Sequence, residues 1–76
     1  MTRIESTMII FGRNVQSARQ ALGISQEELA FRAGLHRTYI GMVERAERSI
    51  SLQKAKKIAD ALNQKLDTLL NNGKES

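Results

Sequence analysis

The sequence predicts an all-α domain of five helices, and three observations support this fold class. Residues that favour helices, among them alanine, leucine, glutamine and lysine, are plentiful, whereas proline is absent from the 76 residues. Apolar residues recur at intervals of three and four, as on one face of a helix. Glycines and capping residues divide these stretches into short segments. We expect one domain over residues 8–71, with tails at 1–7 and 72–76.

The first helix is expected over about residues 8–22. Thr7 is its candidate N-cap, and Gly23 ends it because glycine readily adopts the left-handed conformation at a helix C-terminus. Its buried face is expected to consist of apolar residues at intervals of four, three and four, namely Phe11, Val15, Ala18 and Leu22.

The second and third helices are short and form a candidate helix-turn-helix at about residues 25–45, with Gly34 in the turn. Ser25 begins the second helix with a capping box, in which its side chain accepts a backbone hydrogen bond and Glu28 reaches back to the Ser25 N–H. The third helix is expected over about residues 36–45.

A loop over residues 46–51 precedes a fourth helix at about 52–62, for which Ser51 is favoured over Ser49 as the N-cap. The apolar stripe of this helix consists of Leu52, Ala55, Ile58, Ala59 and Leu62. A short fifth helix is expected at about 66–71, and it contains Leu66, Leu69 and Leu70.

Four positions match the spacing of a DNA-binding helix-turn-helix. With Gln26 as the first position, the fifth is Ala30, where only a small side chain lets the two helices cross closely. The ninth is Gly34, where the turn requires a positive φ. The fifteenth and eighteenth are Ile40 and Val43, which hold the second of the two helices on the core. This spacing predicts a domain that binds duplex DNA.

The same residues resemble the phage repressor and Cro class of transcriptional regulators, also called the Xre family. The resemblance covers about residues 9–71, and it is carried by the segments 25–30, 33–40, 43–45, 58–62 and 66–70. It implies a five-helix repressor-like domain that acts as a homodimer on double-stranded DNA. Residues 36–41 and 44–48 look most like the controller proteins of restriction–modification systems. Ala46 and Ile50 depart from the family, which commonly has glycine and frequently proline there.

Three residues on the exposed side of the third helix are predicted to read DNA bases. The N-terminal end of this helix enters the major groove in this fold. Arg37 can donate two hydrogen bonds to a guanine edge, and Thr38 can bond a base or contact a thymine methyl group. Met42 lies one turn further along and suits apolar contact with a thymine methyl group; the alternative is packing beneath a neighbouring side chain.

Five residues are predicted to contact the DNA backbone. Gln26 opens the second helix, whose N-terminus can point at a phosphate, and the resemblance implies this role for it. His36 is a candidate for helix capping or for a phosphate contact, and capping is favoured over base reading. Tyr39 can bond a phosphate or pack at the domain surface. Arg45 and Arg48 flank the loop after the reading helix and are expected to bind phosphates.

The resemblance also implies an ion pair between Arg19 and Glu44 that joins the first and third helices without touching DNA. The lysines of the fourth helix are expected on its solvated face; they are Lys54, Lys56 and Lys57. The leucine cluster of the fifth helix is predicted to close the core in part and to leave the rest for a symmetric dimer interface, formed by Leu66, Leu69 and Leu70.

Composition and motifs argue against other classes. A net charge of +4 suits a polyanionic partner such as nucleic acid. Cysteine is absent and His36 is the single histidine, so we expect no disulfide, metal site or cofactor. We find no catalytic constellation and expect neither an enzyme nor a small-molecule ligand.

The chain has no apolar run of about 18 residues, and residues 1–7 lack the apolar core of a signal peptide. We therefore expect a cytoplasmic protein without membrane contact. The alternative function is an antitoxin-type or bridging module whose main partner is another protein, which capture of a stoichiometric partner from cells would support.

Overall fold

The computed structural model of the protein describes residues 3–71, with side chains from residue 6 onward. These residues form five α-helices and no strand: α1 (Arg3–Ala21), α2 (Gln26–Ala33), α3 (Arg37–Glu44), α4 (Leu52–Ala61) and α5 (Leu66–Leu70). The predicted all-α fold of five helices is confirmed. The tail expected at 72–76 lies outside the described residues, as do residues 1 and 2.

The N-terminal half of α1 is longer than the sequence predicts. The helix begins at Arg3 rather than near residue 8, so residues 3–7 are helical and Thr7 lies within the helix instead of capping it. Thr7 and Met8 line a groove beside α4 and α5, where α1 also packs on α5. Tertiary packing of this kind stabilises helical turns that local sequence signals alone leave undecided.

At the C-terminal end of α1, the buried face ends earlier than expected. Phe11 and Val15 are 2% and 0% exposed, as predicted, whereas Leu22 is 46% exposed. Leu22 follows the last residue of α1, and its N–H still donates to the Ala18 carbonyl at 3.1 Å. Its side chain lies at the end of the helix beside the turn at Gly23, where much of it stays exposed.

Four helices end in the same Schellman motif around one residue with positive φ. These residues are Gly23 (70°), Gly34 (72°), Ala46 (58°) and Asn63 (59°). In each case the following N–H donates to the carbonyl five residues earlier: Ile24 to Arg19 (3.3 Å), Leu35 to Ala30 (2.9 Å), Glu47 to Met42 (2.8 Å) and Gln64 to Ala59 (2.9 Å). The predicted helix ends at Gly23 and Gly34 are confirmed, and Ala46 adopts the left-handed conformation without being glycine.

Side chains cap the N-termini of three helices. The acceptors are Ser25 Oγ (from the Glu28 N–H, 2.9 Å), His36 Nδ1 (from the Thr38 N–H, 3.0 Å) and Ser51 Oγ (from the Lys54 N–H, 3.1 Å). The Glu28 carboxylate accepts a hydrogen bond from Arg32 Nε at 2.9 Å in place of the expected bond to the Ser25 N–H. Capping by Ser25, Ser51 and His36 is confirmed.

The helices enclose one core: α1 packs on α3 and α5, α2 packs on α3 and α4, and α4 packs on α5. The largest fully buried side chains are Phe11, Val15, Leu29, Ile40, Ile58 and Leu62. Gly12 brings α1 against the end of α3, because a Cβ at this position would clash with the carbonyl oxygen of Val43 and lie 2.9 Å from that of Glu44. Over the described part of the chain, no helix combines the length and apolar character needed to span a bilayer.

Candidate nucleic-acid interface

Helix α3 lies on the core through one side and leaves the other accessible. Ile40 and Val43 are 0% and 2% exposed, which confirms the side predicted to face the core. Arg37 and Thr38 are exposed in the first turn of the opposite side, one turn before Met42. Met42 is half-buried, so part of its side chain packs on the domain and part remains accessible. The structure therefore brings the three predicted base-reading residues onto one side of α3.

A network of hydrogen bonds joins α1, α2 and α3 beneath this surface. The Glu44 carboxylate, with 2% of its side chain exposed, accepts bonds from Arg19 Nε at 2.6 Å and Nη2 at 3.1 Å. These hydrogen bonds raise the pKa of Arg19 against the opposing effect of burial. Gln26 Nε2 donates to the same carboxylate at 2.9 Å, which sequence analysis missed. An amide nitrogen carries two N–H groups, so this hydrogen bond is compatible with the predicted phosphate contact of Gln26, which stays a prediction.

The two arginines at the ends of α3 have carboxylate partners that the sequence analysis did not identify. Arg45 Nε lies 3.0 Å from Glu47 Oε2, and this hydrogen bond raises the pKa of Arg45. Arg37 Nη1 lies 3.9 Å from Glu27 Oε1, which joins the start of α3 to α2. Both pairs lie at the protein surface. The side chain of Arg45 also reaches back over α3. A Cβ added at Gly41 would lie 3.2 Å from Arg45 Nη1.

Tyr39 lies under two cations. Lys54 Nζ is 4.9 Å and Arg48 Cζ is 5.9 Å from the centre of its ring. Burial raises the pKa of the Tyr39 hydroxyl, and the charge of Arg48 opposes this rise. The two predicted backbone contacts Tyr39 and Arg48 are thus adjacent, and Lys54 joins them although it was expected on a solvated helix face. One sequence signal could have identified Lys54. A positive charge in the first turn of a helix interacts unfavourably with the helix dipole, so the position of Lys54 suggests a role other than stabilising α4.

His36 sits beside Arg37 at the start of α3. Its Nδ1 accepts the capping hydrogen bond from the Thr38 N–H, so the Nε2 side of the exposed ring is directed away from this bond. The cap fixes the ring relative to the first turn of α3. A phosphate contact through Nε2 therefore stays a prediction that is compatible with the cap.

Residues 15–69 match a protein family described as Helix-turn-helix, a span that includes all of α2, α3 and α4. The chain belongs to this helix-turn-helix family. The predicted resemblance to Xre-like regulators is confirmed, and with it the assignment to DNA-binding regulators of transcription.

Individual members of the helix-turn-helix family are similar over most of their length. The chain is 49% identical to control protein C.SmaI of Serratia marcescens over 61 residues, which cover 80% of this chain and 73% of that protein. The restriction–modification controller protein C.AhdI from Aeromonas hydrophila has a similar structure, with a TM-score of 0.80, 42% identity and coverage of 84% of this chain and 97% of that one.

A further similar structure contains DNA. It is the P22 c2 repressor in complex with a synthetic operator, with a TM-score of 0.76, 26% identity and coverage of 82% of this chain and 94% of that one. The helix-turn-helix fold of the chain is therefore shared with a repressor whose structure was determined on an operator.

The structure corrects two predictions about leucines of this helix-turn-helix protein, one for the dimer interface and one for the buried stripe of α4. Leu69 is 2% exposed and closes the core, so its assignment to the interface is corrected. Leu52 is the first residue of α4 and is 72% exposed, so it does not belong to the buried stripe of that helix. Leu70 is 38% exposed and Leu66 is half-buried. Both line an apolar groove of about 400 Å³ together with Met8, Ile50 and Leu52.

Proposed function

We propose that this protein is a sequence-specific regulator of transcription that binds a pseudo-palindromic operator as a homodimer and controls a restriction–modification system. The observation that carries the proposal is the accessible side of α3, with Arg37 and Thr38 in its first turn. A recognition helix contacts base edges through its N-terminal residues. Arginine and threonine on that turn supply the hydrogen bonds and methyl contact that distinguish base pairs in the major groove.

The predicted phosphate contacts lie on either side of the proposed reading residues. Gln26 stands at the N-terminus of α2, with its amide held by Glu44. Arg48 and Lys54 lie over the Tyr39 ring on the other side of α3, next to the capped N-terminus of α4. Contacts to phosphates fix the register of a protein on the duplex, whereas base contacts select the sequence. This arrangement supports one reading helix between two backbone clamps.

The groove between α1, α4 and α5 supports a symmetric dimer. Its accessible leucines, Leu52 and Leu70, expose apolar surface that a second copy would bury. The described chain is 30 Å in its longest dimension. Two copies side by side are therefore of the right size to place their reading helices about 34 Å apart, one turn of DNA.

The controller role rests on the similarity to C.SmaI and C.AhdI, which are control proteins by name. A concentration-dependent dimer suits such a role, because its output then depends on the amount of protein. We propose that it acts on DNA in the cytoplasm. An adjacent endonuclease gene and methyltransferase gene would support the controller assignment.

The purified full chain is first used to select its operator from random duplexes. Footprinting then shows which base pairs of that operator the protein protects. We expect two related half-sites with centres about 10–11 base pairs apart. Protection of a single asymmetric half-site at every protein concentration would contradict the dimeric operator.

Variants of the reading helix separate base contacts from backbone contacts. Arg37→Ala should weaken binding to the operator by about 1–3 kcal/mol and relax preference at one base pair. Gln26→Ala and Arg48→Ala should weaken all sequences about equally, and Arg48→Ala should lower the salt slope by about one unit. Each variant is titrated on single-base operator variants at two salt concentrations, with folding checked by circular dichroism. Uniform weakening by Arg37→Ala would mean that Arg37 binds the backbone.

A further inference from the structure

The surface proposed to meet DNA carries two carboxylates, each beside an arginine. Glu47 Oε2 lies 3.0 Å from Arg45 Nε, and Glu27 Oε1 lies 3.9 Å from Arg37 Nη1. All four side chains are more than half exposed, so DNA can reach them. Because phosphates repel carboxylates, Glu27 and Glu47 weaken the general attraction of this surface for nucleic acid.

We propose that Glu27 and Glu47 are specificity determinants, which lower nonspecific DNA binding by offsetting the positive charges of Arg37 and Arg45 until the operator offers these arginines better partners. The inference rests on the proposed function, since it requires that α3 binds DNA. It assigns a role to two acidic residues that neither read bases nor bind phosphates.

The physical basis is a difference between the two kinds of DNA site. Nonspecific binding depends almost entirely on phosphates that are neutralised by cations. On nonspecific DNA, an arginine that exchanges its carboxylate for a phosphate gains little, because no base contact fixes the position of that phosphate. On the operator, Arg37 instead finds a guanine edge with two acceptors in fixed geometry, which compensates for loss of Glu27. The register that the operator complex fixes also holds one phosphate in place for Arg45, which compensates for loss of Glu47. The carboxylates therefore reduce nonspecific affinity more than operator affinity.

The two pairs differ in placement from the other surface ion pairs of the described chain. Glu28 pairs with Arg32 within α2, and Asp60 pairs with Lys56 within α4, both at the i,i+4 spacing that supports an exposed helix. Glu27 instead reaches from α2 to the start of α3, and Glu47 pairs with the residue that ends α3.

The matched experiment compares Glu27→Gln and Glu47→Gln with Glu28→Gln and Asp60→Asn in the full chain. All four variants remove one exposed negative charge and keep the size of the side chain. Binding is measured to the selected operator and to a scrambled duplex of equal length and composition, at two salt concentrations. We expect the first two variants to bind the scrambled duplex about three- to tenfold more tightly at low salt, with a smaller gain on the operator. The controls should change either affinity by less than about twofold.

Two outcomes overturn the proposal while the proposed function stands. If Glu28→Gln and Asp60→Asn raise scrambled-duplex binding equally, the effect is one of net charge. If Glu27→Gln and Glu47→Gln leave the ratio of operator to scrambled affinity unchanged, they do not determine specificity. If the parent chain selects no operator, the proposed function itself fails and the inference fails with it.

A double variant tests whether Glu47 acts through Arg45. The gain from Glu47→Gln on the scrambled duplex should largely disappear in an Arg45→Ala background, because no arginine is then released. A gain that persists in full would show that the carboxylate repels DNA directly, and pairing with Arg45 would be rejected.

Discussion

The Glu44 carboxylate at the end of α3 holds the Arg19 guanidinium of α1 in two hydrogen bonds, from Nε at 2.6 Å and from Nη2 at 3.1 Å. Arg19 also donates from Nη1 to the Ile24 carbonyl at 2.9 Å, in the turn before α2. Gln26 donates to the same carboxylate from α2. One nearly buried ion pair thus connects α1 with both helices of the helix-turn-helix motif, α2 and α3.

Removing Arg19 is expected to destabilise the protein because it leaves the nearly buried Glu44 carboxylate without its cation. We expect Arg19→Ala to lower the free energy of unfolding by about 3–5 kcal/mol. Arg32→Ala, which breaks the exposed pair with Glu28, is the control and should cost less than about 1 kcal/mol. Thermal unfolding measures both. An Arg19→Ala melting temperature equal to that of the parent would show that the pair is not structural, and base preference should be retained wherever the variant is folded.

Ala46 is expected to be a site where glycine stabilises the protein. Its φ of 58° is left-handed, a conformation in which Cβ approaches the backbone closely. We expect Ala46→Gly to raise the free energy of unfolding by about 1 kcal/mol, or the melting temperature by about 4–8 °C. Asn63→Gly, with a φ of 59°, is the control and should gain less because asparagine tolerates this conformation better. A loss of stability in Ala46→Gly would contradict the strain at this position.

A charged residue in the apolar groove is expected to weaken self-association. Leu52 is 72% exposed and lines the groove, so a charge there leaves the monomer core intact but is buried when a second copy docks. We expect Leu52→Glu to weaken dimerisation by about tenfold or more in sedimentation experiments. Leu22→Glu places the same charge on an exposed leucine outside the groove and should leave association unchanged. Equal effects of both variants would argue against the groove as the interface.

Tyr39 is the single tyrosine of the chain, so its ionisation can be followed directly by ultraviolet absorbance. We expect it to titrate above its ordinary pKa of about 10, because burial disfavours the phenolate. Arg48→Gln should raise this pKa further, since the charge of Arg48 lowers it. A fall in the pKa of Tyr39 on this substitution would place Arg48 away from the ring in solution.

The raised pKa of Tyr39 predicts how the free energy of unfolding depends on pH. The folded state holds the phenol proton more tightly than the unfolded chain does. The corresponding stabilisation is therefore present below the unfolded pKa and is lost as the pH rises through the folded pKa of Tyr39.

Helix number, most helix ends and the helix-turn-helix were predictable because short-range rules determine them. Ser25 and Ser51 cap through atoms three residues away, and Gly34 ends α2 through its own φ. The spacing of Ile40 and Val43 predicts that both face the core, and Arg37 and Thr38 then face outward on the other side of α3. These features depend on residues within one or two helical turns. The sequence by itself therefore determined which side of α3 is accessible at the surface.

Contacts between helices were decided only by the tertiary structure. Leu69 and Leu70 lie three and four residues after Leu66, a spacing that fits one apolar face for both, yet packing of α5 on α1 and α4 buries Leu69 and leaves Leu70 38% exposed. Leu52 fits the apolar spacing of α4, but the described helices leave it 72% exposed. Periodicity tells which residues share a helix face, but how far a neighbouring helix extends over that face depends on where the helices cross.

The surroundings of the proposed site show the same division. Gln26 is 18 residues from Glu44, and Lys54 approaches the Tyr39 ring from another helix. Glu27 lies 3.9 Å from Arg37 because the turn at Gly34 brings the start of α3 close to α2. The sequence determined the residue types that can bind DNA, since these follow from side-chain chemistry. The tertiary structure decided the partners of those residues, because hydrogen bonds and ion pairs between helices depend on distances that no local pattern encodes.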